Sequence, residues 1–233
     1  SLKDMIDSIY SGNIPWNALA LTFDYGYADN FLEAFPLLSD HNIPATVFGV
    51  SESINSKREF WWDHLEYLLL TPGKLPLKAK FKFGNKFIKL NLENYAEYTK
   101  EDVHAYAEWS VLDEFDPTPR HTLYRQLYSV LQSIQNFEDR IRCLDLITNW
   151  ANKAPEGRNS HRTMTYKEVN ILSNSRLIDI GAHTGSHPVL SNMPINDQEY
   201  EIISGRKALE EVIGHPINLF AYPYGDRGSY TNE

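Results

Sequence analysis

Three short apolar segments of the chain each end directly in a polar turn, and this arrangement restricts the fold more than any other feature. The pairs of segment and turn are Ala18–Phe23 with Asp24-Tyr25-Gly26, Leu177–Ala182 with His183-Thr-Gly-Ser-His187, and Ile217–Tyr222 with Pro223-Tyr224-Gly225. Apolar runs of this length, bounded by turn residues, predict buried strands. Because active sites of α/β folds lie where parallel strands end, we expect the three turns to form one site at the edge of a sheet or barrel.

The elements around the first turn predict parallel strands. Apolar residues recur at helical spacing over Leu2–Tyr10, with a stop at Gly12, and again over Phe31–Leu38. Asp29 or Asn30 is the expected cap of the second helix. The run Pro44–Val50 predicts the next buried strand. This order is typical of βαβ units with right-handed crossovers.

The pattern changes between about residues 53 and 162, which we interpret as an insertion into a single domain of residues 1–233. Alternation over Leu77–Leu90, on both sides of Gly84-Asn85, predicts a hairpin. Two helices are expected over residues 123–134 and 137–147. Capping boxes of Thr165 with Glu168 and of Asn196 with Glu199 then predict two more helices, the second ending at Gly214.

Composition excludes several classes of protein. A 42% apolar share is enough for a sizeable core, whereas a net charge of −9 argues against nucleic acid or an anionic membrane surface as partner. A single cysteine, Cys143, rules out an internal disulfide. The sequence has no run of eighteen apolar residues that could span a membrane, and no signal-peptide pattern. The first residue is Ser and not Met, which suggests a processed or trimmed start. The 13% aromatic share fits either a core or a surface that stacks on sugars.

His183 and His187 are the strongest candidates for metal ligands. Two imidazoles four residues apart suit one ion, and Gly185 with Pro188 favours a tight turn over a helix. Zinc fits such donors, with a carboxylate and water or substrate in the remaining positions. The alternative is two polar residues in an exposed loop.

Asp24 is the candidate general base. Close to a cation its carboxylate stays ionised and can take a proton from water, although a capping role also explains it. Backbone N–H groups around Tyr224 are candidate oxyanion donors. Trp61 lies in the run Phe-Trp-Trp-Asp and either stacks on a sugar or packs in a core. Because neither Gly-x-Ser-x-Gly nor Gly-x-Gly-x-x-Gly occurs, a serine hydrolase and a dinucleotide fold are both disfavoured.

Taken together and in this order, the three motifs resemble those of the polysaccharide deacetylases, carbohydrate esterase family 4 with its NodB-homology domain. The resemblance implies a distorted (β/α) barrel in which a divalent ion, most often zinc, serves to remove acetyl groups from an N-acetylated amino-sugar polymer or oligosaccharide. It implies that Asp24 is the base, that His183 and His187 hold the metal, and that Tyr222, Pro223 and Tyr224 line the substrate site. An extracytoplasmic or cell-envelope-associated location is also implied.

The chain departs from the family pattern at one ligand. Tyr25 stands where the family usually has a second aspartate that binds the metal, and Ala221 stands where an arginine is frequent. The motifs and first strand that usually flank this region are missing, so the sequence is expected to be an internal piece of the domain or a divergent, inactive member of the family. Two functions follow: a metal-dependent N-deacetylase, or a carbohydrate-binding pseudoenzyme of the same fold.

Overall fold

The computed structural model of the chain describes residues 1–231. The helices within those residues are α1 (Leu2–Tyr10), α2 (Phe35–Asp40), α3 (Trp61–Leu70), α4 (Lys100–Ala105), α5 (Pro119–Ser133), α6 (Phe137–Ala151), α7 (Tyr166–Ser173) and α8 (Ile195–Ile213). The strands are β1 (Leu21–Phe23), β2 (Ala45–Gly49), β3 (Gly73–Lys74), β4 (Lys78–Phe83), β5 (Lys86–Asn91), β6 (Glu97–Tyr98) and β7 (Ile178–Ala182). The fold is therefore mixed α/β.

Two compact units divide the described chain. The first consists of residues 1–57 with the segment that begins at 158, and the second of residues 58–157. The bounds of the second unit lie within the 53–162 stretch that the sequence predicts as an insertion. Each unit has its own apolar core.

A three-stranded parallel sheet organises the first unit, in the order β1-β2-β7. Every residue of β2 is buried, as the apolar run predicts for a central strand covered on both faces. The parallel pairing confirms the βαβ interpretation. The predicted strand over Ile217–Tyr222 is wrong in extent, because only a single parallel bridge joins Phe220 to Ala182. The strands paired in this sheet are part of a mixed α/β fold, and the assigned pairings within residues 1–231 do not by themselves show a closed barrel.

Local capping signals account for some helix boundaries of the first unit. Thr165 and Glu168 form the predicted capping box of α7, and Gly214 ends α8 with a φ of +77°. The predicted cap at Asn196 is wrong, since α8 begins at Ile195 with Pro194 as its N-cap residue. A π-helical turn, Asn30–Ala34, precedes α2. The Asp29 carboxylate accepts a hydrogen bond from the side-chain amide of Asn30 and does not cap this turn.

The second unit packs helices against the predicted hairpin, β4–β5, whose turn is Gly84-Asn85. Arg120 is fully buried there, and its guanidinium donates hydrogen bonds to the carbonyls of Leu69, Gly73, Tyr95 and Ala96. Burial lowers the pKa of Arg120 to about 10. No helix within residues 1–231 is long and apolar enough to cross a membrane.

Candidate active site

Backbone hydrogen bonds join the turns that follow β1 and β7 through the loop that follows β2. The Val50 N–H donates to the Tyr25 carbonyl over 3.4 Å, and the Ser51 N–H donates to the Thr184 carbonyl over 3.3 Å. The Glu52 N–H donates to the Gly185 carbonyl over 3.0 Å. Since β2 lies between the other two strands, its loop fixes the spacing of the two motifs that contain Asp24 and the histidines.

The first and third motifs have the same backbone conformation. The Gly26 N–H donates to the Asp24 carbonyl over 2.9 Å, and the Gly225 N–H donates to the Pro223 carbonyl over 2.8 Å. The central residues are Tyr25, with φ +72°, and Tyr224, with φ +65°. A hydrogen bond across two residues around a positive φ defines the rare and strained form of the γ-turn. Such strain in a non-glycine residue costs about 1–3 kcal/mol and is concentrated at functional sites.

Both tyrosine rings of these turns lie against His187. The ring centroid of Tyr25 is 5.1 Å from that of His187, and the centroid of Tyr224 is 4.9 Å from it. Tyr25 also meets His183 edge-on at 5.6 Å. The structure therefore brings residues of all three predicted motifs together.

His183 and His187 are buried, with 1% and 2% of their surfaces exposed and ring centroids 4.8 Å apart. The His183 Nδ1 is 2.9 Å from the Ala221 carbonyl oxygen. Because that oxygen only accepts, Nδ1 carries the hydrogen, and in the neutral ring the lone pair lies on Nε2. Burial lowers the pKa of His183, while the Ala221 carbonyl and the negative charge of Asp24 oppose that shift. His183 therefore has the Nδ1 backbone anchor that is typical of a metal-binding histidine.

Glu201 of α8 accepts hydrogen bonds from the loop that contains both histidines, His183–His187, which we call the histidine loop. Its carboxylate accepts hydrogen bonds from the Gly185 N–H at 3.0 Å, the Ser186 N–H at 2.9 Å and the Ser186 hydroxyl at 2.7 Å. Only 9% of Glu201 is exposed, so these donors offset the cost of burying its charge. Our sequence reasoning missed this residue. It was detectable as a charge on the buried stripe of α8, which repeats every four residues (Glu201, Gly205, Leu209 and Ile213).

Gly205 allows the helix to approach the loop closely. A Cβ atom at this position would lie 2.4 Å from the Thr184 carbonyl carbon and 2.6 Å from the Gly185 nitrogen. Within the loop, the Thr184 hydroxyl accepts a hydrogen bond from the His187 N–H at 3.0 Å. Thr184 and His187 both have positive φ values, of +67° and +57°. The α8 contacts therefore maintain a strained loop that presents two imidazoles.

The donors present fit a divalent ion in part. An imidazole pair with one ring anchored through Nδ1 suits zinc. Asp24 is exposed and close enough to influence the pKa of His183. However, within residues 1–231 no group of three or more His, Cys, Asp or Glu side chains is placed to hold a metal ion. The Tyr25 ring lies against both imidazoles, where the family pattern has a carboxylate.

The remaining candidate residues have different environments. Tyr222 is 45% exposed, its ring packs against those of Phe220 and Tyr230, and Pro223 is buried. Trp61 belongs to the second unit, where it is 5% exposed within the apolar core and touches the Tyr128 ring. So little exposed ring leaves no face for a sugar, and Tyr222 is the better stacking candidate.

Comparison with a family model agrees with the motifs. The polysaccharide deacetylase family model matches residues 12–72 and 145–233. The deacetylase domain of BpsB from Bordetella bronchiseptica is similar at 16% identity and a TM-score of 0.44, with 97% of this chain and 64% of that chain covered. A de-N-acetylase from Aggregatibacter actinomycetemcomitans gives 16% identity, a TM-score of 0.43 and coverage of 97% and 62%. The chain thus spans less than two thirds of either protein. No curated protein sequence matches it.

Proposed function

Because the chain belongs to the polysaccharide deacetylase family, we propose that it removes N-acetyl groups from an amino-sugar polysaccharide or glycan precursor as a metal-dependent hydrolase. Water adds to the amide carbon, the C–N bond breaks, and acetate and the free amine leave. The observation that carries this proposal is the buried imidazole pair, with His183 anchored through Nδ1 to the Ala221 carbonyl.

The side chains of the site have separate roles in this reaction. His183 and His187 hold the divalent ion, and zinc is the metal that best suits such a pair of imidazoles. When bound, the ion acidifies water and polarises the acetyl carbonyl. Asp24 takes the proton of the attacking water, and the exposed position of its carboxylate leaves it accessible to solvent and substrate.

The third motif positions the substrate. The Tyr224 ring lies against His187, and we assign to the oxyanion backbone N–H groups around Tyr224 other than that of Gly225, which closes the γ-turn. Tyr222 offers an exposed ring for stacking on a sugar, and Pro223 fixes the turn between them. The expected partner is therefore an N-acetylated amino-sugar polymer or oligosaccharide.

The domain organisation is part of the same proposal. The parallel strands β1, β2 and β7 belong to a distorted (β/α) barrel, and residues 53–162 contain an insertion into it. The support is the family match itself, which stops after residue 72 and resumes at residue 145.

A second function is favoured by Tyr25. A phenol in place of a carboxylate, together with the missing three-donor group within residues 1–231, fits a protein that binds N-acetylated sugars without turnover. The two functions share a fold and a substrate, and they differ in whether acetate is released.

Acetate release from N-acetylated chito-oligomers, with and without added zinc, separates these functions. We expect zinc-stimulated release that is lost in Asp24→Asn and in His183→Ala but kept in Asp40→Asn, a change at an exposed residue of α2. Oligomer binding without release would establish the pseudoenzyme. The absence of both binding and release would exclude both functions.

A further inference from the structure

The β4–β5 hairpin of the second unit has one apolar face and one basic face. Ala79, Phe81 and Ile88 are buried in the core of that unit. Because side chains alternate along a strand, the residues between them point to the opposite face. Four exposed lysines occupy that face, and we call them the lysine face: Lys78, Lys80, Lys82 and Lys89.

The register of the hairpin concentrates this positive charge. Lys80 lies directly opposite Lys89, and such like-charged cross-strand pairs are destabilising. The segment from residue 74 to residue 92 contains no Asp or Glu, although the net charge of the chain is −9. Within residues 1–231, no salt bridge joins a lysine of this face to a carboxylate. The hairpin therefore maintains a positive surface at a cost in stability.

An aromatic ring and a groove lie beside these charges. Phe87 is 57% exposed, and the Lys80 ammonium lies 5.9 Å from its ring centroid. A groove of about 540 Å³ runs between β5 and α5, and Phe87, Lys89, Gln126 and Ser129 line it. An exposed ring can stack on a sugar, while the amide and hydroxyl can bind its hydroxyl groups.

We propose that the lysine face and Phe87 bind an acidic polysaccharide, a chain whose sugars carry anionic groups. The ammonium groups pair with the anions and Phe87 packs against a sugar ring. This binding goes beyond the proposed deacetylation and does not depend on it.

Edge protection, a membrane surface and nucleic acid each fit the lysine face less well. Lysines do protect the edges of exposed strands from pairing with other chains, but mixed charges serve that purpose without a repulsive Lys80–Lys89 pair. A membrane surface favours several apolar side chains for insertion, and this face offers only Phe87. Nucleic acid has a higher charge density than most acidic glycans, and the four lysines of this face neutralise fewer phosphates than a nucleic-acid site usually contacts.

The proposal is tested by calorimetric titration of the full chain with polygalacturonate at low salt. The test variant is Lys78→Gln/Lys80→Gln/Lys82→Gln. The matched control is Lys57→Gln/Lys167→Gln/Lys207→Gln, which removes three exposed lysines outside the hairpin and gives the same net charge. We expect at least a ten-fold weaker affinity for the test variant, less than a two-fold change for the control, and weaker binding for both proteins as salt is raised.

A second variant distinguishes sugar recognition from general attraction of anions. Phe87→Ala should weaken polygalacturonate binding at least three-fold while binding of inorganic polyphosphate is unchanged, with thermal unfolding measured to show that the variant is folded. The proposal is overturned by an absence of polygalacturonate binding, by equal losses in the test and control variants, or by no effect of Phe87→Ala. Tighter binding to anionic vesicles or single-stranded DNA than to polygalacturonate would also overturn it.

Discussion

The ring of Tyr25 lies 5.1 Å from the ring of His187, centroid to centroid, at an angle of 49°. A phenol thus fills space beside the two imidazoles that the family pattern gives to a carboxylate. This contact joins the first and second motifs at the centre of the site. A substitution of Tyr25 can therefore test metal binding without removing a residue of the core.

Tyr25→Asp should increase the affinity of the chain for zinc at least ten-fold, which corresponds to about 1.4 kcal/mol. The added carboxylate supplies the missing anionic donor, and Asp tolerates a positive φ such as the +72° of this position better than Tyr does. Calorimetric titration with zinc measures the change. Tyr25→Phe is the control, because it keeps the ring and adds no donor. Equal affinities for Asp and Phe variants would contradict the assignment of the site.

Glu201→Ala should destabilise the chain by about 2–3 kcal/mol, since it leaves three buried donors of the histidine loop without their acceptor. We also expect weaker zinc binding, because the loop that presents His183 and His187 loses its anchor. Urea unfolding and zinc titration measure the two effects. Glu211→Ala, on the exposed side of α8, is the matched control and should change neither.

In Glu201→Gln the side chain keeps an acceptor for the two backbone N–H groups of the loop. This variant should therefore recover most of the stability lost in Glu201→Ala. If Glu201→Gln and Glu201→Ala lost equal stability and equal zinc affinity, the hydrogen bonds to Gly185 and Ser186 would not explain how the loop is held.

Glu168→Gln should destabilise the start of α7 by about 1 kcal/mol at neutral pH, the usual size of a capping contribution. The Arg162 guanidinium, which donates two hydrogen bonds of 2.8 Å to this carboxylate, lowers the pKa of Glu168 from 4.5 to about 2. A lowered carboxyl pKa stabilises the fold above the ordinary pKa, and that stability is lost as the pH falls through the folded value.

Urea unfolding of both proteins at several pH values measures this effect. The difference between the original chain and Glu168→Gln should be constant above about pH 4.5 and shrink toward pH 2. A difference that did not change over this window would show that the Arg162 pair contributes no pH-dependent stability.

The stability of the second unit should fall as the pH drops from about 6.5 to about 4. Burial of His121, which is 1% exposed among the rings of Tyr106 and Trp109, lowers its pKa from 6.5 to about 4. As the pH falls, His121 of the unfolded chain is therefore protonated before His121 of the folded chain. Each pH unit of this window lowers the free energy of unfolding by up to about 1.4 kcal/mol.

His121→Asn isolates this contribution, because Asn keeps a polar group near the Thr118 hydroxyl, which lies 2.7 Å from Nδ1 in the original chain. Denaturant unfolding followed between pH 4 and 7 should show a shallower loss of stability for the variant. Parallel curves for the two proteins would assign the acid sensitivity to other groups.

The sequence predicted the parts of the site that depend on local pattern. Apolar runs that end in turns identified β1 and β7, the run Pro44–Val50 identified β2, and the spacing of His183 and His187 identified the loop between β7 and α8. These predictions succeeded because burial and turn chemistry are encoded within a few residues.

The sequence did not predict features that depend on tertiary contacts. Glu201 lies 14 residues beyond His187 along the chain, and only packing of α8 shows that it holds the loop. The strand expected over Ile217–Tyr222 is reduced to one bridge, since an apolar run does not reveal how much of a neighbouring edge is available. Asn196 is not the cap because α8 already begins at Ile195, with Pro194 as the N-cap residue.

The loop after β2 has a mechanical consequence for the site. Since the amide of Val50 donates to the first motif and the amides of Ser51 and Glu52 donate to the second, one loop is bonded to both motifs, and displacing that loop breaks its bonds to both. Hydrogen exchange should therefore show these three amides opening at one common rate, slower than that of the amide of Gly12, an exposed residue after α1. Displacing either motif to admit a substrate would therefore break hydrogen bonds to this one loop.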